Sequence, residues 1–308
     1  MTAVGPDVEV ARRAFLDDLI GRRLLVPMGV AGVFGRGEEF EDTVGRLDQL
    51  VTELGRIDGA TVIRFPPVIN RTEFNRSGYL KSFPHLAGSV HSFAGTEKAH
   101  RDLVQTVEAG GDWAHGLPST DVVLTPAACY PIYPTLAEHL PAGGRVMDVL
   151  SFCFRHEPSD DPARMQSFRM REHVRIGTPE QVSVWRNAWF DRAQTYIDRL
   201  VLDARFEVAN DPFFGRGGKI LAQSQRDSQL KFEVVTPIVS AEQPTAVISL
   251  NYHQQHFGTI YGIISDDNAP AHTACIGFGL ERLTLALYKQ HGFGRGAWPA
   301  ATREALGL

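Results

Sequence analysis

Two hydrophobic periods run along this 308-residue chain, and the change from one to the other marks out its elements. Residues 8–20 and 38–54 carry helical spacing. In the second stretch Phe40, Val44, Leu47, Val51 and Leu54 recur at intervals of three and four. Gly29, Gly32, Gly35 and Gly37 interrupt the pattern between them, so the junction reads as a flexible connection. It lacks the Lys-Ser/Thr ending and the strand-to-helix setting of a phosphate-binding P-loop. From residue 60 onward short apolar runs take over: ATVIRF, DVVLT, GRVMDVLSFCFR, SFRMREHVRI, QLKFEVV, TAVISL and HTACIGF. Several are β-branched and bounded by Gly, Pro or Asp, and they predict strands. They do not alternate regularly with helices, so the expected class is α+β, a mixed and mainly antiparallel sheet flanked by helices.

One long helix interrupts the strands. Thr178 is its expected N-cap, Pro179 its first residue and Gln181 the capping-box partner. Val182, Trp185, Trp189, Ala193, Ile197 and Leu200 form the apolar stripe, and the helix is predicted to run to about Ala204. A last helix is predicted from near Gly279 to before Gly292, with Leu280, Leu283 and Leu287 on one face. The chain divides into an N-terminal helical segment, residues 1–58, and a catalytic domain, residues 59–308, with a helical insertion at 178–206.

Composition narrows the setting. The 43% hydrophobic content supports a sizeable core, and a net charge of −5 gives no overall basic footprint for nucleic acid. No apolar run approaches the roughly 20 residues that span a bilayer. The N-terminal stretch MTAVGPDVEV has acids early and no apolar core, unlike a secretory signal. Cys129, Cys153 and Cys275 are odd in number and far apart, which argues against a disulfide framework and for a reducing, cytoplasmic setting.

Two segments carry chemistry. Phe154-Arg155-His156-Glu157 closes a predicted strand, and alternation places Arg155 and Glu157 on one face. An arginine fork suits phosphate or carboxylate oxygens; a strand-end salt bridge fits the segment as well. Gly277-Phe278-Gly279-Leu280-Glu281-Arg282 joins a strand to a helix, with a cation in the first turn where the helix dipole prefers an acid. An anion for Arg282 to hold explains that placement. In this order, an FRxE strand, a return strand at 167–176 and a distal GxGxER join, the chain resembles class II aminoacyl-tRNA synthetases over roughly residues 60–295. Phe154–Glu157 matches motif 2 of that family and Gly277–Arg282 matches motif 3. The resemblance is strongest to zinc-dependent, archaeal-type seryl-tRNA synthetases.

That resemblance implies an enzyme using ATP with Mg2+. Arg155 would bind the α-phosphate and the amino-acid carboxylate, Glu157 the adenine amino group and Arg282 the γ-phosphate, with Arg169 a candidate second phosphate ligand. It also implies a catalytic zinc on Cys129, Glu172 and Cys275, its fourth position open to the substrate amino group. Cys153 is the rival ligand, and all three cysteines are equally at home in a core. Lys231 and Glu233 alternate onto one strand face, either bordering the amino acid or forming a solvated pair. Asn251, His253 and His256 read as hydrogen-bonded residues or a second metal cluster. His173 reads as an adenine neighbour or a packed side chain.

The acceptor is a separate question. The chain shows no sustained heptads or basic stripe in its first 58 residues, and no anticodon-binding domain follows residue 295. The glutamate expected before motif 3 is replaced by Ala246-Val247-Ile248, and the serine-pocket element T-x-E appears as Thr125-Pro126-Ala127. This profile resembles the truncated seryl-synthetase homologues that act as amino acid:carrier-protein ligases. The implied reaction charges glycine or alanine onto the phosphopantetheine thiol of a small acidic carrier protein, from a class II homodimer whose subunits meet near residues 60–70. Arg186, Arg192, Arg199 and Arg205 on the long helix either offer that carrier a docking face, with Arg192 and Arg199 as contacts, or pair with Asp191, Asp198 and Asp203. A tRNA-charging enzyme and a silent regulatory paralogue are the alternatives.

Overall fold

The structure is a computed structural model that describes residues 6–136 and 138–308; residues 1–5 of the N-terminal stretch lie outside it. Helix α1 (Pro6–Gly21) leads into a ribbon, β1 (Leu25–Pro27) and β2 (Phe34–Arg36), and then helix α2 (Glu38–Gly55). Strands β3 (Thr61–Arg64) and β4 (Val68–Asn70) precede the short helices α3 (Arg71–Arg76) and α4 (Tyr79–Ser82). Next come β5 (Ser89–His91), α5 (Glu97–Glu108) and β6 (Ser119–Leu124). The long strands β7 (Arg145–Phe154) and β8 (Ser167–Gly177) are followed by α6 (Pro179–Leu200), β9 (Arg205–Val208) and α7 (Gly215–Asp227). The chain closes with β10 (Lys231–Thr236), β11 (Thr245–Gln254), α8 (His256–Tyr261), β12 (His272–Gly279), α9 (Leu280–His291) and α10 (Ala300–Leu306).

Seven strands form the main sheet in the order β3-β7-β8-β12-β11-β10-β9. Only the β3–β7 pair is parallel. The expected α+β class is therefore what the chain adopts. A smaller sheet, β4-β6-β5, packs its own cluster of Ile69, Phe74, Tyr79, Leu86 and Val123.

One face of the main sheet is covered by α2, α6 and α9. Its residues, including Leu250, Ile276 and Phe278, share one apolar core with Leu47 and Val51 of α2, the α6 stripe and Phe15, Leu16 and Leu19 of α1. The capping box of α6 forms as the sequence indicates. Its indole groups are fixed from outside: one Asp58 oxygen accepts from Trp185 Nε1, Trp189 Nε1 and Arg192 Nη1 at 2.8, 3.0 and 2.8 Å.

Several boundaries differ from expectation. Helix α6 ends at Leu200, because Val201 turns left-handed (φ 52°) and sends the chain back toward β9. The glycine-rich junction is the β1–β2 ribbon, turned by Gly29 and Gly32 at positive φ and tied down by Gln166, which donates from its backbone N–H and its side-chain amide to Gly32 O and Ala31 O. Strands of three residues leave no alternation to read. Helix α9 is not the last, since α10 follows. Helix α5 buries none of its residues, although Ala99, Leu103 and Val107 recur at a spacing of four.

His173 settles against the helices on the covered face. It is 1% exposed, 5.0 Å from the Trp189 ring, and a Cβ on Gly55 would lie 2.4 Å from its ring. Of its two readings, packing is the one the fold shows. Burial pushes its pKa down to about 4, keeping the ring neutral. Gly55→Ala is expected to cost about 1–3 kcal/mol by overpacking, measurable as a lower midpoint in chemical denaturation; unchanged stability would mean that α2 shifts freely.

Candidate active site

The uncovered face is defined by cross-strand register. Glu172 on β8 lies opposite Val149 on β7 and Gly277 on β12, and the row continues through Ser249 on β11 to Glu233 on β10. A second row runs Val174, Cys275, Asn251, Lys231. Because side chains alternate along a strand, these residues share a face and Arg169, Arg171 and His173 point the other way.

The loop after β6 closes over this face and brings Cys129 to Glu172. One Glu172 oxygen accepts from Ala128 N at 2.8 Å and Cys129 N at 3.3 Å. One ligand atom from each of Cys129, Glu172 and Cys275 lies within 4.8 Å of the others, and all three residues are buried. Among the described residues no lysine or arginine bonds to any of them. Burial, and then the neighbouring Cys275, pushes the Glu172 carboxyl up to about 8. The hydrogen bond to Cys275, with burial, raises the Cys129 thiol, while accepting that bond favours the Cys275 thiolate. Two sulfurs and a carboxylate crowded together without a counter-charge are a donor set that could hold a metal ion through three protein ligands.

Outer contacts orient Cys275. Asn251 Nδ2 donates to its sulfur at 3.5 Å; His253 Nε2 lies 3.8 Å away, and His253 Nδ1 is 3.0 Å from Thr273 Oγ1. His253 is thus a hydrogen-bonded neighbour, and His256 begins the separate helix α8. Cys153 is buried 3.8 Å from Ser151 O and outside the triad.

Arg155 and Glu157 stand beyond the strand, because β7 stops at Phe154 and Glu157 N donates to Arg155 O at 2.8 Å. The alternation argument therefore does not apply to them; a tight turn sets their directions. Arg155 donates from Nε to Pro126 O at 3.1 Å, and its guanidinium lies 5.6 Å from the Phe168 ring centroid. Arg282 donates from Nε to Ala163 O at 2.8 Å and from Nη1 to Ala246 O at 3.0 Å. Burial and then the nearby charge of Arg155 lower the Arg282 pKa. Neither arginine has an ion-paired carboxylate among the described residues. Glu157 accepts from Arg164 Nη1 at 3.4 Å at the mouth of the same loop.

Lys231 and Glu233 reach the same face, joined at 3.0 Å. Lys231 is buried and also bonds Asp211 at 2.6 Å, so the pair is not a solvated one. Asp211 in turn accepts from Gln225 Nε2 of α7 at 2.9 Å, and its backbone N–H donates to Gln225 Oε1 at 2.7 Å. Sequence reasoning passed over Asp211, since it sits in a loop whose only signal is Asn-Asp-Pro.

Two expected roles are not supported by the geometry. Arg169 is on the covered face, bonded to both oxygens of Glu41 (2.6 and 2.8 Å) and to Glu281 (2.8 Å), so its charge is already taken. The long helix offers no free basic face: Arg192 is held by Asp58, Arg199 by Glu53 at 2.9 Å, and Arg186 lies against Phe190, Phe232 and Tyr252. The partners of Arg192 and Arg199 come from the N-terminal segment rather than from the acids of the helix itself, a tertiary pairing that spacing along one helix does not reveal.

No family model matches the chain. It is 48% identical over 293 residues to amino acid--[acyl-carrier-protein] ligase 1 of Bradyrhizobium diazoefficiens, covering 94% of this chain and 90% of that protein. Ligase 2 of the same organism is 47% identical, over 94% of this chain and 87% of its own length. The type-2 serine--tRNA ligase of Methanothermobacter thermautotrophicus is more distant, 26% identical over 82% of this chain and 51% of that protein. Among solved structures, M. kandleri SerRS in complex with A. aeolicus tRNASec superposes with a TM-score of 0.79 at 22% identity, covering 98% of this chain and 60% of that one. No helix among the described residues is long and apolar enough to cross a membrane. Nearly full-length identity to two ligases of one kind, on a class II synthetase fold, makes this chain a member of the amino acid--[acyl-carrier-protein] ligase family.

Proposed function

We propose that the protein activates glycine or alanine with ATP and passes the aminoacyl group to the phosphopantetheine thiol of an acidic carrier protein. The observation that carries this reading is the buried Cys129, Glu172, Cys275 set, on the sheet face where Met170 lies 4.0 Å from Arg155 Nη2, together with two arginines, Arg155 and Arg282, that lack carboxylate partners among the described residues. In the first step an amino-acid carboxylate oxygen bonds to the α-phosphorus of ATP and the bond to pyrophosphate breaks. In the second the thiol sulfur, losing its proton, bonds to the acyl carbon, and AMP leaves.

Arg155 holds the α-phosphate and the attacking carboxylate, where charge builds up in the transition state. Arg282 holds the γ-phosphate end and Glu157 the adenine amino group, with Mg2+ on the polyphosphate. Cys129, Glu172 and Cys275 would hold zinc, which would supply a Lewis-acid site for the substrate amino group. In the register Cys275 and Asn251 lead to Lys231 while Gly277 and Ser249 lead from Glu172 to Glu233, so Lys231 and Glu233 border the amino-acid side. With Lys231 committed to Asp211 and Glu233, that border is filled and suits a small side chain. Ala127, at the position of a serine-binding glutamate in the seryl family, fits the same preference. The protein works as a homodimer through β3, the edge strand of the main sheet, where Val62 is 63% exposed.

The test is a transfer assay with ATP and labelled glycine, alanine or serine, with total tRNA and a phosphopantetheinylated carrier side by side. Label on the carrier as a thioester, released by hydroxylamine, is the expected outcome. Label on tRNA would make the protein a tRNA-charging enzyme, and no activation of any amino acid would make it a silent paralogue.

A further inference from the structure

We infer that Arg12 of α1 and Asp161 of the 155–166 loop form a positioning pair that holds this loop in the geometry that binds ATP. The inference rests on the proposed nucleotide role of Arg155, Glu157 and Arg282.

The loop between β7 and β8 is the covering of the site, and it carries few apolar residues of its own on its outgoing side: Pro158, Ser159, Asp160 and Asp161. What orders it is contact with the N-terminal segment. Arg12 Nε lies 3.2 Å from Asp161 Oδ2, with the two side chains 15% and 7% exposed. The other Asp161 oxygen accepts from Ala163 N at 3.0 Å, and Arg164 N donates to Asp161 O at 2.9 Å. Ala163 then supplies the carbonyl that accepts from Arg282 Nε at 2.8 Å, and Arg164 reaches Glu157 at 3.4 Å. One carboxylate therefore connects α1 to both ends of the proposed ATP site, through the peptide of Ala163 on one side and the side chain of Arg164 on the other.

The surroundings make that carboxylate dependent on Arg12. A carboxylate so little exposed is costly unless a cation and hydrogen bonds compensate it. Arg164 is a weaker partner, its Nε 3.8 Å away and its side chain 49% exposed. Ala163 and Met165 are packed in the same cluster as Phe15, Leu16 and Leu19 of α1, so the helix holds its distance from the loop. Without Arg12 the lowest-cost response is for Asp161 to turn toward water, which breaks the bond to Ala163 N and frees the carbonyl that aims Arg282. Neither Arg12 nor Asp161 touches a metal ligand or the amino-acid border, so the effect should fall on the nucleotide alone.

The experiment compares the full-length wild type with Arg12→Ala, Arg12→Lys and Asp161→Asn in amino-acid-dependent pyrophosphate exchange, with ATP and amino acid varied separately. The expected result is an apparent KM for ATP raised roughly five- to thirtyfold in Arg12→Ala and Asp161→Asn, the range for residues that act on a site through others. The KM for the amino acid and the zinc content should stay at the wild-type level, Arg12→Lys should recover most of the loss, and Arg12→Ala/Asp161→Asn should be no worse than either single change. An unchanged KM for ATP, equal rises in both KM values, or additive losses in the double variant would overturn the pairing. Equilibrium binding of ATP to the same proteins separates this from the proposed activity. Wild type that binds ATP without exchanging pyrophosphate would end the activity proposal and leave the pair to be judged on the dissociation constants. Wild type that binds no ATP would end both.

Discussion

Cys275→Ala should purify with little or no zinc and should lose amino-acid-dependent pyrophosphate exchange by roughly a thousandfold or more, since a metal that orients and polarises the reactants contributes several kcal/mol. The geometry explains why the two losses belong together. Cys275 is the member of the triad to which Asn251 donates and beside which His253 stands, so its sulfur is held as an acceptor. Removing it leaves Cys129 and Glu172, two ligands where three stood. Cys153→Ala is the matched control: an equally buried cysteine on β7, outside the triad, whose loss should leave both zinc and exchange near the wild-type level. Zinc measured by mass spectrometry alongside exchange decides the matter. A Cys275→Ala protein that keeps full activity, or metal-free wild type that does, would remove zinc from the proposed chemistry.

The second large effect separates three arginines that read alike in the sequence. Arg155→Ala and Arg282→Ala should each lower exchange by about 10²–10³, the usual loss when one donor aimed at developing charge is removed, with folding largely intact. Both give up hydrogen bonds to carbonyls and leave no carboxylate unpaired. Arg169→Ala should do the reverse. Glu281 is 2% exposed, and losing its shortest cationic partner strands a buried charge, at about 3–5 kcal/mol less whatever Arg36, 3.3 Å away, takes over. Denaturation midpoints and KM values for ATP measured together distinguish the two classes. An Arg169→Ala protein of normal stability with a raised KM for ATP would restore Arg169 as a phosphate ligand.

Much of the fold was legible because its signals are local. The capping box at Thr178–Gln181, the apolar stripe of α6 and the strand-to-helix join at Gly279 each depend on residues within a few positions of one another. The ribbon between α1 and α2 was not legible, because what holds it is the backbone and side chain of Gln166, far away in sequence. The same division runs through the site. Arg155, Glu157 and Arg282 stand in motifs and could be picked out. Cys129, Glu172 and Cys275 carry no spacing of their own and could be nominated only by resemblance. Asp211 could not be found at all, since its importance lies in reaching Lys231 across the sheet face. Arg169 misled because its motif position says which strand it occupies while the register decides which side it faces.

That register carries a consequence for how the chain tolerates change. Strand β8 presents Phe168, Met170 and Glu172 to one side and Arg169, Arg171 and His173 to the other. The first set meets the open face, and the second meets α2, where Arg171 bonds Asp48 and Thr52 as well as Asp148 of β7. A single inserted or deleted residue between Phe154 and Met170 that shifted β8 by one place would exchange the sets. An arginine or histidine would enter the sulfur-lined gap, and Glu172 would be driven in among the acids that now neutralise Arg171. Point substitutions along β8 can be absorbed one face at a time, but a frame change of one residue cannot. The connection preceding β8 should therefore vary in length among working relatives only by changes taken up within the 155–166 loop itself, leaving the parity of the strand untouched.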